Sequence, residues 1–172
     1  MARMRKRPES NPVPPPFDRI GGWLIPIALA LVALPVRLGW MLAEDLLPAF
    51  SPDIWPLLTT PSSPAYHPLN KPLLLFELIG NGLLLTGALA LGVLFVRRRR
   101  EFPLAAVIFL IMGISFYLGD YVLSLQLPAV AAQSGTESKL DLIGAVLIGV
   151  GLSVYFLRSA RVKDTFVRGG VA

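Results

Sequence analysis

The 172-residue sequence contains no cysteine. Disulfides, thiol nucleophiles and cysteine-ligated zinc or iron–sulfur clusters are therefore excluded. Histidine is almost missing as well: His67 is the only one. A histidine-rich metal site or bis-histidine haem ligation needs at least two, so neither can form within one copy. In a proline-rich stretch, His67 reads as a loop residue rather than a ligand, and no cofactor is expected. Charge is sparse too, at 16% of residues, with 11 acidic against 16 basic side chains. In a soluble protein a net charge of +5 would point to nucleic acid, but no recognition module accompanies it, so no nucleic-acid partner is expected.

What fills the chain is apolar. Hydrophobic residues make up 54% of it and the mean hydropathy is +0.63. They concentrate in four long runs separated by polar, basic or proline-rich stretches, which is the membrane pattern. The predicted fold is all-α: a polytopic membrane protein with a four-transmembrane-helix bundle and both termini cytoplasmic. The expected spans cover about residues 21–47, 72–96, 102–126 and 140–158 within a transmembrane domain at 21–158. Residues 1–20 are basic and proline-rich and are expected to be disordered. The apolar run after them is too long for a signal-peptide core, so it reads as an uncleaved first helix. Residues 159–172 form a second basic segment. Pro26 and Pro35 lie in the first span, where a proline removes a backbone hydrogen bond and favours a kink. The loop at 48–71, with its prolines, Trp55 and Tyr66, reads as a stiff connector or as a lid over a pocket.

The basic residues choose the orientation. Arg3, Arg5, Lys6, Arg7 and Arg19 precede the first span. Arg97, Arg98, Arg99 and Arg100 fill the turn between the second and third spans. Arg158, Arg161, Lys163 and Arg168 follow the fourth. The opposite loops carry only Lys71 and Lys139. This bias puts both ends in the cytoplasm, where the arginine clusters meet anionic lipid headgroups.

The ending Val154-Tyr155-Phe156-Leu157-Arg158-Ser159-Ala160-Arg161-Val162-Lys163-Asp164-Thr165-Phe166 resembles the signature that closes the DUF2569 family of small bacterial inner-membrane proteins. Ile20-Gly21-Gly22-Trp23-Leu24 is similar to that family's opening, and so are Phe76-Glu77 and the basic turn into Phe102-Pro103. Gly151-Leu152-Ser153 departs from the family, which has a tryptophan- and proline-containing stretch there. The resemblance implies four spans and a bacterial inner membrane; it supplies no activity.

Ionisable residues inside spans are costly and usually face the bundle interior or water. Counted along their helices, Arg37, Glu77 and Asp120 share the outer third of the membrane, with Asn81 one turn from Glu77. Glu44, Asp45 and Asp141 fall nearer the headgroups. If the polar stripes face inward, Arg37 meets Glu77 and Asp120 in an outward-open polar cluster. Such a cluster is either a salt-bridge network that fixes helix register or a binding pocket or proton relay. The acidic residues come with no nucleophile, base and orienter set, so the chain does not read as an enzyme. Two functional readings follow. One is an integral, non-catalytic inner-membrane protein that binds a membrane-protein partner or a second copy, or supports the cell envelope. The other is a small carrier, channel or sensor built on the outer polar pocket.

Overall fold

The computed structural model describes residues 22–128 and 136–168. The basic N-terminal segment, with its expected disorder, lies outside the described residues, as does most of the second outer loop. The described residues are helical or irregular and contain no strand. Helix α1 is Leu24–Met41, α2 is Trp55–Thr59, α3 is Asn70–Val96, α4 is Phe102–Ser124 and α5 is Thr136–Arg158. Four segments are long and apolar enough to cross a membrane: Leu24–Phe50, Asn70–Val96, Phe102–Ser124 and Lys139–Arg158.

The start of α1 is set by Gly22, whose φ of +56° is a conformation that L side chains rarely adopt. Pro26 sits in the first turn, where its missing N–H has no intrahelical partner in any case, so only Pro35 interrupts the helical ladder. Beyond Met41 the helix continues as a π-turn over Leu42–Leu46 and a 3₁₀ turn over Leu47–Phe50. Pro48 cannot donate to the ladder, and the chain leaves the helix at Ser51.

The loop after α1 is pinned from within. Phe50 stacks on Trp55 with ring centroids 5.0 Å apart. The Asn70 amide donates to the carbonyls of Leu58 and Ala65, at 3.1 and 3.0 Å, and so ties α2 and the proline-rich stretch to the start of α3. The ring nitrogen Nδ1 of His67 accepts from the Leu69 N–H at 3.3 Å, a local turn contact. The turn between α3 and α4 closes a Schellman motif. The Arg99 N–H donates to Leu94 O and the Arg98 N–H to Phe95 O, with Arg98 at φ 49° where glycine is usual.

Helices pack in chain order: α1 on α3, α3 on α4 and α4 on α5. Among the described residues, α1 and α5 form no comparable seam. In lipid, burial of apolar surface does not hold helices together, so close approach at small residues has to. Here α3 and α4 interlock twice. Gly80 lies so close to the Phe116 ring that a Cβ there would collide with it, and a Cβ on Gly119 would lie 3.3 Å from Phe76. Phe76 and Phe116 stack on each other, with centroids 5.0 Å apart. On the next seam, Gly149 admits Ile114.

At the end of the molecule near the termini, the helices converge on a layer of aromatic rings. Phe102 contacts Phe95, Phe156 and Phe166 at centroid distances of 5.1, 5.6 and 4.6 Å. Phe166 comes from the segment after α5. Ser159 breaks α5 with extended backbone, and its hydroxyl accepts from the Val162 N–H. A short helix at Ala160–Val162 and a π-turn at Lys163–Arg168 then fold back under the bundle. Val162 and Phe166 are fully buried there with Leu24. The segment expected as a basic tail is thus part of the core through residue 166, and closes that end of the molecule.

Candidate functional site

The aromatic layer gives a common zero for heights along the helices. Glu77 precedes Phe95 by 18 residues, and Asp120 follows Phe102 by 18. At about 1.5 Å per residue both lie about 27 Å above the layer. The two carboxyl groups stand close enough to interact with each other. Carboxyl groups held this close repel when both are ionised, so the pair favours a cation or a proton beside it. The second oxygen of Asp120, Oδ1, is buried and meets no donor among the described residues. A buried acceptor left open in this way calls for an explanation.

This pair forms part of the wall of a cavity of about 380 Å³. Met41, Asp45 and Leu46 close it from the end of the first span, Leu74 and Asn81 from α3, and Phe116 and Tyr117 from α4. Asn81 is buried, and its amide donates to the Glu77 carbonyl at 2.9 Å, which satisfies the donor within its own helix. The glycine–phenylalanine interlock lies one turn below, so the same close packing that joins α3 to α4 brings the two carboxyl groups together. No basic residue lines the cavity, and no three of the described His, Asp and Glu side chains stand close enough to hold a metal ion.

Of the four residues expected to cluster, Glu77, Asn81 and Asp120 come together and Arg37 does not. Arg37 is exposed, makes no ion pair with either acid and is absent from the cavity wall. The reason is register. Arg37 follows Leu24 by 13 residues, so it stands about 20 Å above the aromatic layer, over one helical turn below the acids. It also points away from α3: Leu24, Ile27, Ala28 and Leu31 form the packed face of α1, and Arg37 lies roughly 120° around the helix from its centre. The salt-bridge network expected around Arg37 is therefore corrected to a carboxyl pair without a cation. Asp45, set aside in the sequence as a headgroup residue, is instead at the cavity. The π-turn delivers it there, and no sequence pattern marks such a turn.

The arginine clusters behave as surface groups. Arg97, Arg98, Arg99 and Arg100 are exposed, and the contacts from Arg99 and Arg100 to Glu101, 3.8 and 3.7 Å, are solvent-facing and contribute little. Arg158 and Lys163 are exposed; Arg161 is half-buried, its Nε 3.3 Å from where a Cβ on Gly22 would stand. The two sequence stretches that carry the family resemblance at either end therefore touch in space.

No curated protein and no solved structure matches the chain. The family model described as "Protein of unknown function (DUF2569)" matches residues 17–167. That match covers α1 through the closing segment, including Gly22, Glu77, Asp120 and the buried Val162 and Phe166, and the chain belongs to the DUF2569 family.

Proposed function

We propose that this protein is a non-enzymatic inner-membrane protein of a bacterium that binds a small organic cation in the cavity between the first span, α3 and α4. The termini are cytoplasmic and the cavity opens at the outer face; the thirteen-to-two bias of basic residues supports this orientation. The carrying observation is the carboxyl pair. Glu77 and Asp120 face a cavity that no basic residue lines, and the Asp120 Oδ1 acceptor is open. An ammonium or guanidinium group has what the site lacks: positive charge and N–H donors aimed at carboxylate oxygens. The Phe116 and Tyr117 rings on the wall suit the apolar part of such a cation, and ring faces attract cations as well.

One-sided binding fits better than transport. The aromatic layer and the buried closing segment stopper the other end. A sensor or a binding module is the form of the function favoured by this arrangement.

The test is a thermal shift of the purified protein with tetramethylammonium and agmatine as probes. Binding raises the melting temperature of the unaltered chain, and the double variant Glu77→Gln with Asp120→Asn loses the shift. The reading fails if neither probe stabilises the unaltered chain, or if the double variant responds equally.

A further inference from the structure

Among the charged side chains in the spans that the cavity does not use are Arg37 on α1 and Asp141 on α5, and neither has a partner among the described residues. Both are exposed. Arg37 follows Leu24 by 13 residues, and Asp141 precedes Phe156 by 15. Measured from the layer that Leu24 and Phe156 share, they stand at about 20 and about 22 Å. Opposite charges thus lie at one depth on the first and last helices. Within one copy, α1 and α5 form no seam comparable to those of the neighbouring helices among the described residues.

The two helices are also the least covered. In their apolar stretches 6% of α1 and 11% of α5 residues are buried, against 22% in each of the other two. The uncovered face of α5 contains small residues that permit close approach: Gly144 and Gly151 have no heavy atom within 4 Å of a Cβ position. Lipid chains can cover apolar faces without loss, but they cannot pair an arginine and an aspartate held in the outer third of the bilayer.

We propose that a second copy of this chain covers these faces, α1 of each protomer against α5 of the other, with Arg37 of each copy paired to Asp141 of its partner. A two-fold axis satisfies both charges of both copies at once, because in such an interface each contact occurs twice with the roles exchanged. Antiparallel helices at matched depth also place Ala33, nine residues beyond Leu24, opposite Ile148, eight residues before Phe156.

Reciprocal charge reversal tests the pairing. Arg37→Asp alone sets acid against acid in the homodimer, and Asp141→Arg alone sets base against base. A mixture of the two single variants restores both pairs. With differently tagged chains in lipid nanodiscs, native mass spectrometry should show twice 18.7 kDa for the unaltered protein and loss of dimer for each variant alone. The co-expressed mixture should recover it. Independently, Ala33→Cys on one tagged chain and Ile148→Cys on the other leave both charges in place, and a bismaleimide should cross-link them in this otherwise cysteine-free protein. A monomeric unaltered protein, an assembly larger than two, a dimer indifferent to both reversals, or failure of the Ala33→Cys and Ile148→Cys chains to cross-link would each overturn the proposal.

Discussion

Replacing Gly80 with alanine probes the contact that builds the site. An added Cβ would strike the edge of the Phe116 ring, which is itself stacked on Phe76, whose own edge rests over Gly119. The ring cannot turn aside without losing both contacts, so helices α3 and α4 must separate or the stack must break. Overpacking of this kind costs about 1–3 kcal/mol. Alanine also favours helix over glycine by up to about 1 kcal/mol, which partly offsets the loss. Gly82→Ala isolates that offset, because nothing lies within 4 Å of a Cβ at Gly82. Unfolding by SDS titration in mixed micelles should therefore place Gly80→Ala about 1–3 kcal/mol below Gly82→Ala. Adding Phe116→Leu should recover part of the deficit, because the two positions are in contact. If Gly80→Ala and Gly82→Ala agree within about 0.5 kcal/mol, the interlock does not hold the two helices.

Phe166→Ala removes a fully buried ring from the aromatic layer and should cost about 3–5 kcal/mol in the same titration; a change within about 0.5 kcal/mol would mean the closing segment is not packed. Gly22→Ala forces a side chain into the left-handed region beside Arg161 and should cost at least about 1–2 kcal/mol. Glu77→Leu strands the Asp120 carboxyl in the cavity and should destabilise by about 1–3 kcal/mol, whereas Glu77→Gln supplies a donor beside it and should cost clearly less; equal losses would argue against a polar contact between the two positions. For orientation, reporter fusions at residues 60 and 99 should read external and internal respectively, and a cytoplasmic signal at residue 60 would reverse the assigned topology.

The helices were legible because membrane burial writes itself in length and composition. Apolar runs of about 20 residues, ended by Arg97 to Arg100 or by proline-rich loops, leave few alternatives. The meeting of Glu77 with Asp120 was legible as well, since counting residues from the helix ends gives depth. Arg37 was misplaced because depth counted from Gly21 ignores both the true start at Leu24 and the rotation of α1 against α3. Rotation is fixed by packing at Leu24, Ile27, Ala28 and Leu31, and those positions look no different in sequence from the lipid-facing Leu29 and Val32. Asp45 reads in sequence as a headgroup residue because the π-turn that carries it to the cavity has no sequence mark. The closing segment hid behind its arginines and lysine. Val162, Thr165 and Phe166 follow an i, i+3, i+4 spacing, but so short a run among charged residues does not announce a core face; they are buried with Phe156 and Asp164, while Lys163 faces out.

Calorimetric titration of the unaltered protein with agmatine bears most directly on the carboxyl pair as a cation site. A guanidinium group seated between Glu77 and Asp120 takes a carboxylate acceptor from each. The account predicts saturable binding to the unaltered protein and no binding heat for Glu77→Gln with Asp120→Asn. Absence of binding, or equal binding heat from the double variant, would contradict it.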